Sequence, residues 1–359
     1  MSGGKAMVKI KVGVIGAGNI GVAHAFAYRD ILGAELWAIA DINSERLFEV
    51  QKKLEIPKAY TNYEDLLEDP EIEAVSICLP NFLHHRAACA ALESGKHVLL
   101  EKPMAVNAKE ASDILNWAKR NNKILMIGFN YRFRPEIVTL KSWVEDGLLG
   151  EIYHAQSILL RRRGIPAMGS WFTTKAKSGG GALIDIGVHY LDLGMWLMGY
   201  PEPISVTGLT FDKIATRQPY IYVDMWGTPV PGGPCDVDEY AISLVRFQNG
   251  AALWMESSWA LNAQDDDRIQ VFGDKAGAKV SSKEGLTLFG EWGGKIADIK
   301  PQIKSQPLSN AYREEVLHFL ECVREGKEPM ASGEQGLIVQ KVIDAIYESG
   351  KRQEEVKIS

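Results

Sequence analysis

Asp185 and His189 stand four residues apart in the stretch 179–198, which reads as one helix, so both should project from one face. An imidazole titrates near neutrality and can take the proton of a hydroxyl. A carboxylate beside it can accept from a neighbouring hydroxyl or steady the imidazolium. A surface Asp–His ion pair has the same spacing. The surrounding Ala182, Leu183, Ile184, Leu191 and Leu193 mark the helix as mostly buried, which weighs against a purely surface role. Asp192 falls close to the same face, and Asp185, His189 and Asp192 together offer oxygen and nitrogen to a metal. Carboxylates with one histidine do not define a zinc site, and no metal is expected. Gly187 and Gly194 each cost a helix about 1 kcal/mol against alanine, so their presence suggests close approach to a ligand or another backbone.

A second group of residues points to a nucleotide. The β-branched run 8–15 enters Gly16-Ala17-Gly18-Asn19-Ile20-Gly21, and a helical stretch with Ala23, Ala25, Phe26 and Ala27 follows. This is G-x-G-x-x-G between strand and helix. Gly16 permits the tight turn, Gly18 lets the backbone approach a pyrophosphate, and Gly21 lets helix and strand pack closely. The N–H groups at the helix start face the phosphates. A second strand, 35–40, ends in Asp41, twenty residues after Gly21, where an acid accepts from the adenosine ribose diol. Asp41 is followed by Ile42 and by a helix from about Glu45, so it is also a candidate N-cap. An acid there repels a 2′-phosphate, which favours NAD over NADP. Arg46 is near enough to meet such a phosphate, but reads more simply as a helix-surface partner of Glu45 or Glu49.

The elements that must position these groups alternate. Further buried strands at 74–79, 97–100 and 124–128 end at Pro80-Asn81, at Glu101-Lys102-Pro103 and just before Asn130, with helices at about 84–94 and 108–121 between them. This is a doubly wound parallel sheet, and ligands bind outside the carboxyl ends of such strands. Gly16, Asp41, Pro80, Asn81, Glu101, Lys102 and Asn130 all converge there. Alone, Lys102 would read as an exposed lysine at a strand end. At this edge it can donate to a reacting oxygen and stabilise its developing charge.

After Arg132 the pattern changes. A helix at about 135–146 is followed by strands at 151–160, 204–209, 239–247, 251–259 and 268–273 with few helices between them, which indicates an antiparallel sheet. Asn249-Gly250 marks a hairpin turn. The Gly/Pro/aromatic stretch 217–235 reads as a long ordered loop or an oligomer contact, and Asp265-Asp266-Asp267 as a solvated loop. We therefore expect a dinucleotide-binding domain over 1–130 and a second domain over 131–359, with the leading Ser-Gly-Gly stretch outside the fold.

Composition bounds the function. With 359 residues, 46% of them hydrophobic and 24% charged, the chain is an ordinary globular protein. Its 40 basic and 46 acidic side chains give a net charge of −6, against a general nucleic-acid binder. No apolar run approaches the roughly 20 residues of a membrane span. The N-terminus lacks a signal-like pattern, which suggests a cytoplasmic protein. Its four cysteines, Cys78, Cys89, Cys235 and Cys322, form no C-x-x-C pair and read as reduced thiols.

The glycine loop, Leu79-Pro80-Asn81, Glu101-Lys102-Pro103, Gly128-Phe129-Asn130-Tyr131-Arg132-Phe133 and Gly179-Gly180-Gly181-Ala182-Leu183-Ile184-Asp185-Ile186-Gly187-Val188-His189 together resemble the glucose–fructose oxidoreductase/inositol dehydrogenase/rhizopine-catabolism (Gfo/Idh/MocA) family over about 8–347. The resemblance implies an α/β protein: an N-terminal Rossmann domain plus a C-terminal α/β domain with a large, mostly antiparallel open sheet. It implies a nicotinamide cofactor, sugar or cyclitol substrates, and dimers or tetramers packed through the sheet faces, which makes 131–359 the substrate-binding and oligomerisation domain. It assigns catalytic roles to Lys102, Asp185 and His189, leaving open whether Lys102 or His189 is the primary base. It makes Asn81 and His84 cofactor neighbours and suggests a cis Lys102–Pro103 bond, while His85 is left structural.

The expected reaction is reversible oxidation of a secondary alcohol to a ketone, with hydride passing to the nicotinamide. Tyr131 and, from the run Arg161-Arg162-Arg163, Arg163 are placed on the substrate side. Trp171 offers either a platform for a sugar ring or core packing. Two other functions stay open: a redox-neutral sugar-modifying enzyme that reduces NAD transiently, and a non-catalytic NAD-bound regulator.

Overall fold

Short buried runs alternate with amphipathic ones through the first third of the chain, and each becomes the element its periodicity calls for. The sequence folds as β1 (Ile10–Ile15), α1 (Asn19–Arg29), β2 (Ala34–Ala40), α2 (Ser44–Leu54), β3 (Lys58–Tyr60), α3 (Tyr63–Leu67), β4 (Ala74–Ile77), α4 (Asn81–Glu93), β5 (His97–Glu101), α5 (Ala108–Arg120) and β6 (Leu125–Gly128). Then follow α6 (Pro135–Glu145), β7 (Ile152–Leu160), α7 (Lys175–Ser178), a π-helical turn (Leu183–Gly187), α8 (Val188–Leu197) and β8 (Pro203–Phe211). The rest is β9 (Tyr240–Phe247), β10 (Ala252–Ser258), β11 (Asp266–Gly273), β12 (Ala276–Ser281), β13 (Gly285–Trp292), β14 (Lys295–Ile299), α9 (Leu308–Glu325), α10 (Gly333–Arg352) and β15 (Val356–Lys357). This computed structural model describes residues 9–217, 220–223, 226–304 and 306–358. The leading stretch, the expected strand start at Val8, and Gln218, Pro219, Asp224 and Met225 of the long loop lie outside the described residues.

The chain forms two compact units. One holds the chain up to Ala105, Lys109–Asn130 and Pro307–Leu337; the other holds Val106–Ala108, Tyr131–Gln306 and the chain from Ile338 on. The first is built on a parallel sheet of order β3-β2-β1-β4-β5-β6, whose order reverses between β1 and β4. Val12, Val14, Val75, Ile77, Val98 and Leu100 are wholly buried in it, because helices cover a parallel sheet on both faces. The short β3 carries no apolar run, which is why it was not foreseen. Late in the chain, α9 returns to pack against α1.

The second unit is a nine-stranded sheet of order β14-β13-β12-β11-β7-β10-β9-β8-β15. Every neighbouring pair is antiparallel except β7 and β10. Its strands alternate between buried and part-exposed positions, as in the iBiBiBiB pattern of β9, so one face packs inward against α8. Gly194 permits that contact: a Cβ there would lie 2.3 Å from Leu253. Both glycines of α8's approach thus serve helix-on-sheet packing, since a Cβ at Gly187 would stand 2.7 Å from Ser257. The Asn249-Gly250 hairpin joins β9 to β10, with Gly250 at φ +86°.

Three local expectations are corrected. Residues 179–198 are not one helix: Gly179, at φ +85°, closes α7, and the next helical run opens with the π turn. Asp266 and Asp267 are not loop residues but pair with Leu160 and Leu159 as the start of β11. Their charge is accommodated locally, Asp267 by the Ser282 hydroxyl at 2.6 Å and Asp266 by Arg268. The strands β12 to β14 extend the sheet where no strand was expected.

Candidate active site

In the first unit, the carboxyl ends of β1, β4 and β5 carry the nucleotide-binding candidates. A Cβ on Gly16, at φ +104°, would fall 2.4 Å from the Cys78 carbonyl oxygen, and one on Gly21 would fall 1.8 Å from that of Gly16. No side chain is tolerated at either position, so both glycines are demanded by the turn and the helix packing. Gly18 differs: a Cβ there would meet nothing within 4 Å. Gly18 caps α1 without a side-chain hydrogen bond, and the first turn holds no acid, so the N–H groups at this end are left to an anion. Asn19 is exposed and Ile20 half-buried beside it.

Asp41 braces this loop. Its Oδ2 accepts from the Ala17 N–H at 2.7 Å and its Oδ1 from the Asn43 N–H at 2.8 Å. Asn43, not Asp41, caps α2, by accepting from the Arg46 N–H. Ile42 is 90% exposed, an apolar surface offered next to the acid. Arg46 departs from expectation: its guanidinium reaches back over the helix start to Asn19 Oδ1 at 3.0 Å rather than to a glutamate on its own helix.

Leu79 and Pro80 are half-buried at the end of β4, and Asn81 begins α4. His84 is fully buried, its Nδ1 2.7 Å from the Pro103 carbonyl oxygen and its Nε2 2.8 Å from that of Leu79. The imidazole therefore ties the turn after β4 to the turn after β5. Burial lowers its pKa, although both main-chain partners act to raise it. His85 bonds Asp113 at 2.8 Å on the helix surface. Glu101 ends β5, Lys102 follows half-buried, and the Lys102–Pro103 bond is cis. Asn130 is buried, and its Nδ2 has no hydrogen-bond partner among the described residues. An uncapped helix start beside an unfilled glycine Cβ position and an orphaned amide at the same sheet edge fit a nicotinamide dinucleotide.

In the second unit, the π turn and α8 form a run in which residues 180–197 are all buried except Asp185 and His189. That pattern is hard to obtain by packing alone, since a buried helix gains nothing by presenting two ionisable groups at its only openings. Each is oriented by a neighbour. Trp259 Nε1 donates to Asp185 Oδ2 at 3.1 Å, and the Tyr131 ring stacks on His189 with centroids 4.5 Å apart and planes 14° off parallel. A π turn at this point is a recurrent device at functional sites.

The helix start is held from outside. Asp238 Oδ1 accepts from the Gly181 N–H at 2.7 Å and Oδ2 from the Leu183 N–H at 3.0 Å, while Tyr347 donates its hydroxyl to Oδ1 at 2.7 Å. Burial pushes the Asp238 carboxyl above its ordinary range, with these donors opposing. A Cβ on Gly181 would lie 1.7 Å from the Asp238 carbonyl oxygen, and one on Gly180 2.0 Å from the Tyr347 hydroxyl. The glycines before Ala182 thus exist to admit Asp238 and Tyr347. Sequence reasoning missed Asp238, Tyr347 and Trp259, because nothing local announces a partner 57 or 166 residues away.

Asp192 is not part of this group. It is fully buried in a two-pronged pair with Arg132, also bonded by Tyr200, so it cannot serve a ligand beside Asp185 and His189. Arg163 spends its guanidinium on the carbonyls of Arg162 and Leu261 and on Asn262 Oδ1. Trp171 is half-buried, its ring stacked on Phe172 with centroids 3.8 Å apart.

The comparisons agree with this architecture. Residues 10–129 match the NAD-binding Rossmann fold of the Gfo/Idh/MocA oxidoreductase family, and residues 141–358 match its C-terminal alpha/beta domain. The chain is 31% identical over 353 residues to D-glucoside 3-dehydrogenase of Escherichia coli (strain K12), covering 95% of each chain. It is 30% identical over 331 residues to myo-inositol 2-dehydrogenase of Thermotoga maritima, covering 91% of this chain and 92% of the other. Among solved structures, levoglucosan dehydrogenase in complex with NADH and L-sorbose matches at 25% identity with a TM-score of 0.87, over 98% of this chain and 100% of that one. Two motif-bearing units, both domain matches and relatives along nearly the whole length make this chain a member of the Gfo/Idh/MocA family of oxidoreductases.

Proposed function

We propose that the protein is an NAD-dependent dehydrogenase that oxidises a secondary hydroxyl of a pyranoside, a related sugar derivative or a cyclitol to a ketone, reversibly. The observation that carries the reading is the buried run 180–197 opened only at Asp185 and His189. The relatives named for D-glucoside and myo-inositol oxidation support the substrate class, since both are ring polyols with adjacent hydroxyls.

In this reading Gly16, Gly18, Asn19, Ile20 and Gly21 hold the pyrophosphate, Asp41 and Ile42 the adenosine end, and Leu79, Pro80, Asn81, Glu101 and Asn130 the nicotinamide side. The bound nicotinamide supplies a hydride acceptor. His189 takes the hydroxyl proton as the C–H bond breaks, its ring plane fixed by Tyr131. Asp185, steadied by Trp259, accepts from an adjacent hydroxyl and so chooses which carbon reacts. Lys102 donates to the reacting oxygen and stabilises the negative charge that grows there. Asp41 disfavours a 2′-phosphate, which supports NAD over NADP. The part-exposed positions of β9 and β10, which alternate with buried ones, leave a second face of the large sheet open and support assembly into a homo-oligomer through that face.

The test is absorbance at 340 nm with NAD or NADP against inositols, free aldoses, 1,5-anhydro sugars and glycosides, with the Lys102→Ala chain as control. Signal with one class, lost in the variant, is the expected result. Silence across the panel from a protein that binds NADH would refute the dehydrogenase and favour a redox-neutral enzyme.

A further inference from the structure

Beneath Lys102, within the first unit, sits a cluster of polar side chains that the reaction itself does not use. His24 of α1 is fully buried. Its Nδ1 lies 3.1 Å from Ser76 Oγ of β4, and that hydroxyl lies 2.8 Å from the Tyr28 hydroxyl. Its Nε2 lies 3.1 Å from Oε1 of Glu101, the last residue of β5. The other oxygen of the same carboxylate, Oε2, accepts from the Lys102 backbone N–H at 3.3 Å. Gly128 makes room for it, since a Cβ there would come within 3.0 Å of Glu101 Oε1.

The tautomer follows from the partners. Glu101 Oε1 is placed to accept from an Nε2–H, while the Ser76 hydroxyl can serve Nδ1 in either sense. Glu315 of α9 covers the cluster, with its Oε2 4.0 Å from His24 Nε2 and neither carboxyl oxygen hydrogen-bonded among the described residues. Burial, and then the charge of Glu101, hold the Glu315 carboxyl well above its ordinary range. Glu101 Oε1 stands nearer to His24 Nε2 than Glu315 does, 3.1 Å against 4.0 Å, so Glu101 is the carboxyl group that His24 serves. Tyr28, Cys78 and the ring of Tyr312 complete the titratable surroundings. Burial raises the first two, so both stay protonated around neutral pH.

We propose that His24 is a positioning residue for Lys102, acting through Glu101: its Nε2–H fixes the carboxylate that holds the Lys102 main chain, and so fixes where the lysine side chain starts. The inference rests on the reading of Lys102 as the donor to the reacting oxygen. Removing the imidazole leaves the buried Oε1 without its donor, which favours a new rotamer and moves the turn that Oε2 holds. A misplacement of about 1 Å can cost on the order of 100-fold in rate.

The test compares His24→Leu, His24→Gln and Glu101→Gln in the full chain. Three quantities are read: NADH affinity by fluorescence, kcat and KM with methyl β-D-glucopyranoside and with myo-inositol, and the pH profile of Lys102 acetylation by acetic anhydride, followed by mass spectrometry. His24→Leu should lower kcat roughly 10- to 100-fold with little change in NADH affinity, and should displace the midpoint of Lys102 labelling. His24→Gln, whose amide can reach Glu101, should recover most of both losses, which a merely structural role would not predict. A His24→Leu protein that binds NADH and keeps the wild-type kcat and labelling profile overturns the proposal, as does a glutamine variant no better than leucine. If His24→Leu fails to fold, an unchanged labelling profile in Glu101→Gln overturns it instead. The labelling profile needs no turnover, so silence across the full substrate panel defeats the dehydrogenase reading while this one is still decided.

Discussion

Removing the Asp238 carboxylate should uncouple the start of the Asp185–His189 helix without touching either residue. In Asp238→Ala, the N–H groups of Gly181 and Leu183 and the hydroxyl of Tyr347 lose the carboxylate together, and Gly181 keeps only its longer contact to the Tyr347 hydroxyl at 3.2 Å. Loss of a helix cap alone costs about 0.5–2 kcal/mol, and each buried donor left unsatisfied about 1–3 kcal/mol. These costs overlap, and release of the desolvated carboxylate returns part of them, so a net loss of about 3 kcal/mol is expected. Asp238→Asn keeps one acceptor oxygen and should lose roughly half as much. Because two units need not unfold in one step, the local assay is hydrogen exchange by mass spectrometry over peptides spanning residues 178–190. About 3 kcal/mol corresponds to roughly 100-fold faster exchange there. Catalytic turnover should fall with it, while NADH affinity should hold, since the glycine loop lies in the other unit. Wild-type protection in the alanine variant, or an asparagine variant worse than alanine, would refute the reasoning.

Gly18→Ala should fold normally, because the new methyl group meets no protein atom within 4 Å, yet it should weaken NADH binding by about tenfold or more; equal affinity in a fluorescence titration would remove the pyrophosphate from that spot. Arg132→Ala strands a buried Asp192 and should cost about 3–5 kcal/mol in urea unfolding, whereas Arg132→Met with Asp192→Leu should recover most of it. Burial lowers the His97 pKa to about 4, and its Nδ1 accepts from the Ile124 N–H, a bond that requires the neutral ring. With the folded pKa below the unfolded one, this contribution is complete above about pH 6.5 and is lost as pH falls towards 4. It should amount to about 1 kcal/mol after solvent screening, seen as a shallower acid dependence of Tm in His97→Gln.

The parts legible in the sequence were those whose chemistry is local. Gly16 and Gly21 declare themselves because the turn that needs them lies within six residues, and the alternation after them gives a parallel sheet. Asp185 and His189 could be singled out because ionisable residues in an apolar run conflict with burial. The failures share one cause, long-range pairing. Asp192 falls close to the face of Asp185 and His189 on helical spacing, but a helix face does not reveal that Arg132 waits 60 residues earlier. Asp266 and Asp267 look like loop because three acids in a row seldom begin a strand, but Leu160 and Leu159 of β7, far back in the chain, pair with them. Arg46 looked towards its own helix, but the Asn19 side chain lay closer in space than in sequence.

The return of α9 to the first unit also sets an order of events during synthesis. The face of α1 that carries His24 is made first, as part of Asn19–Arg29, yet the helix that covers it ends only at Glu325. At about 5–20 residues per second, the ribosome takes roughly 15–60 s to make the intervening chain. Through that interval the nascent Rossmann sheet can form, but α1 keeps an uncovered flank, and Glu315 is not yet there to close over His24. Completion of the nucleotide-binding unit is therefore delayed until the segment Pro307–Leu337 has emerged.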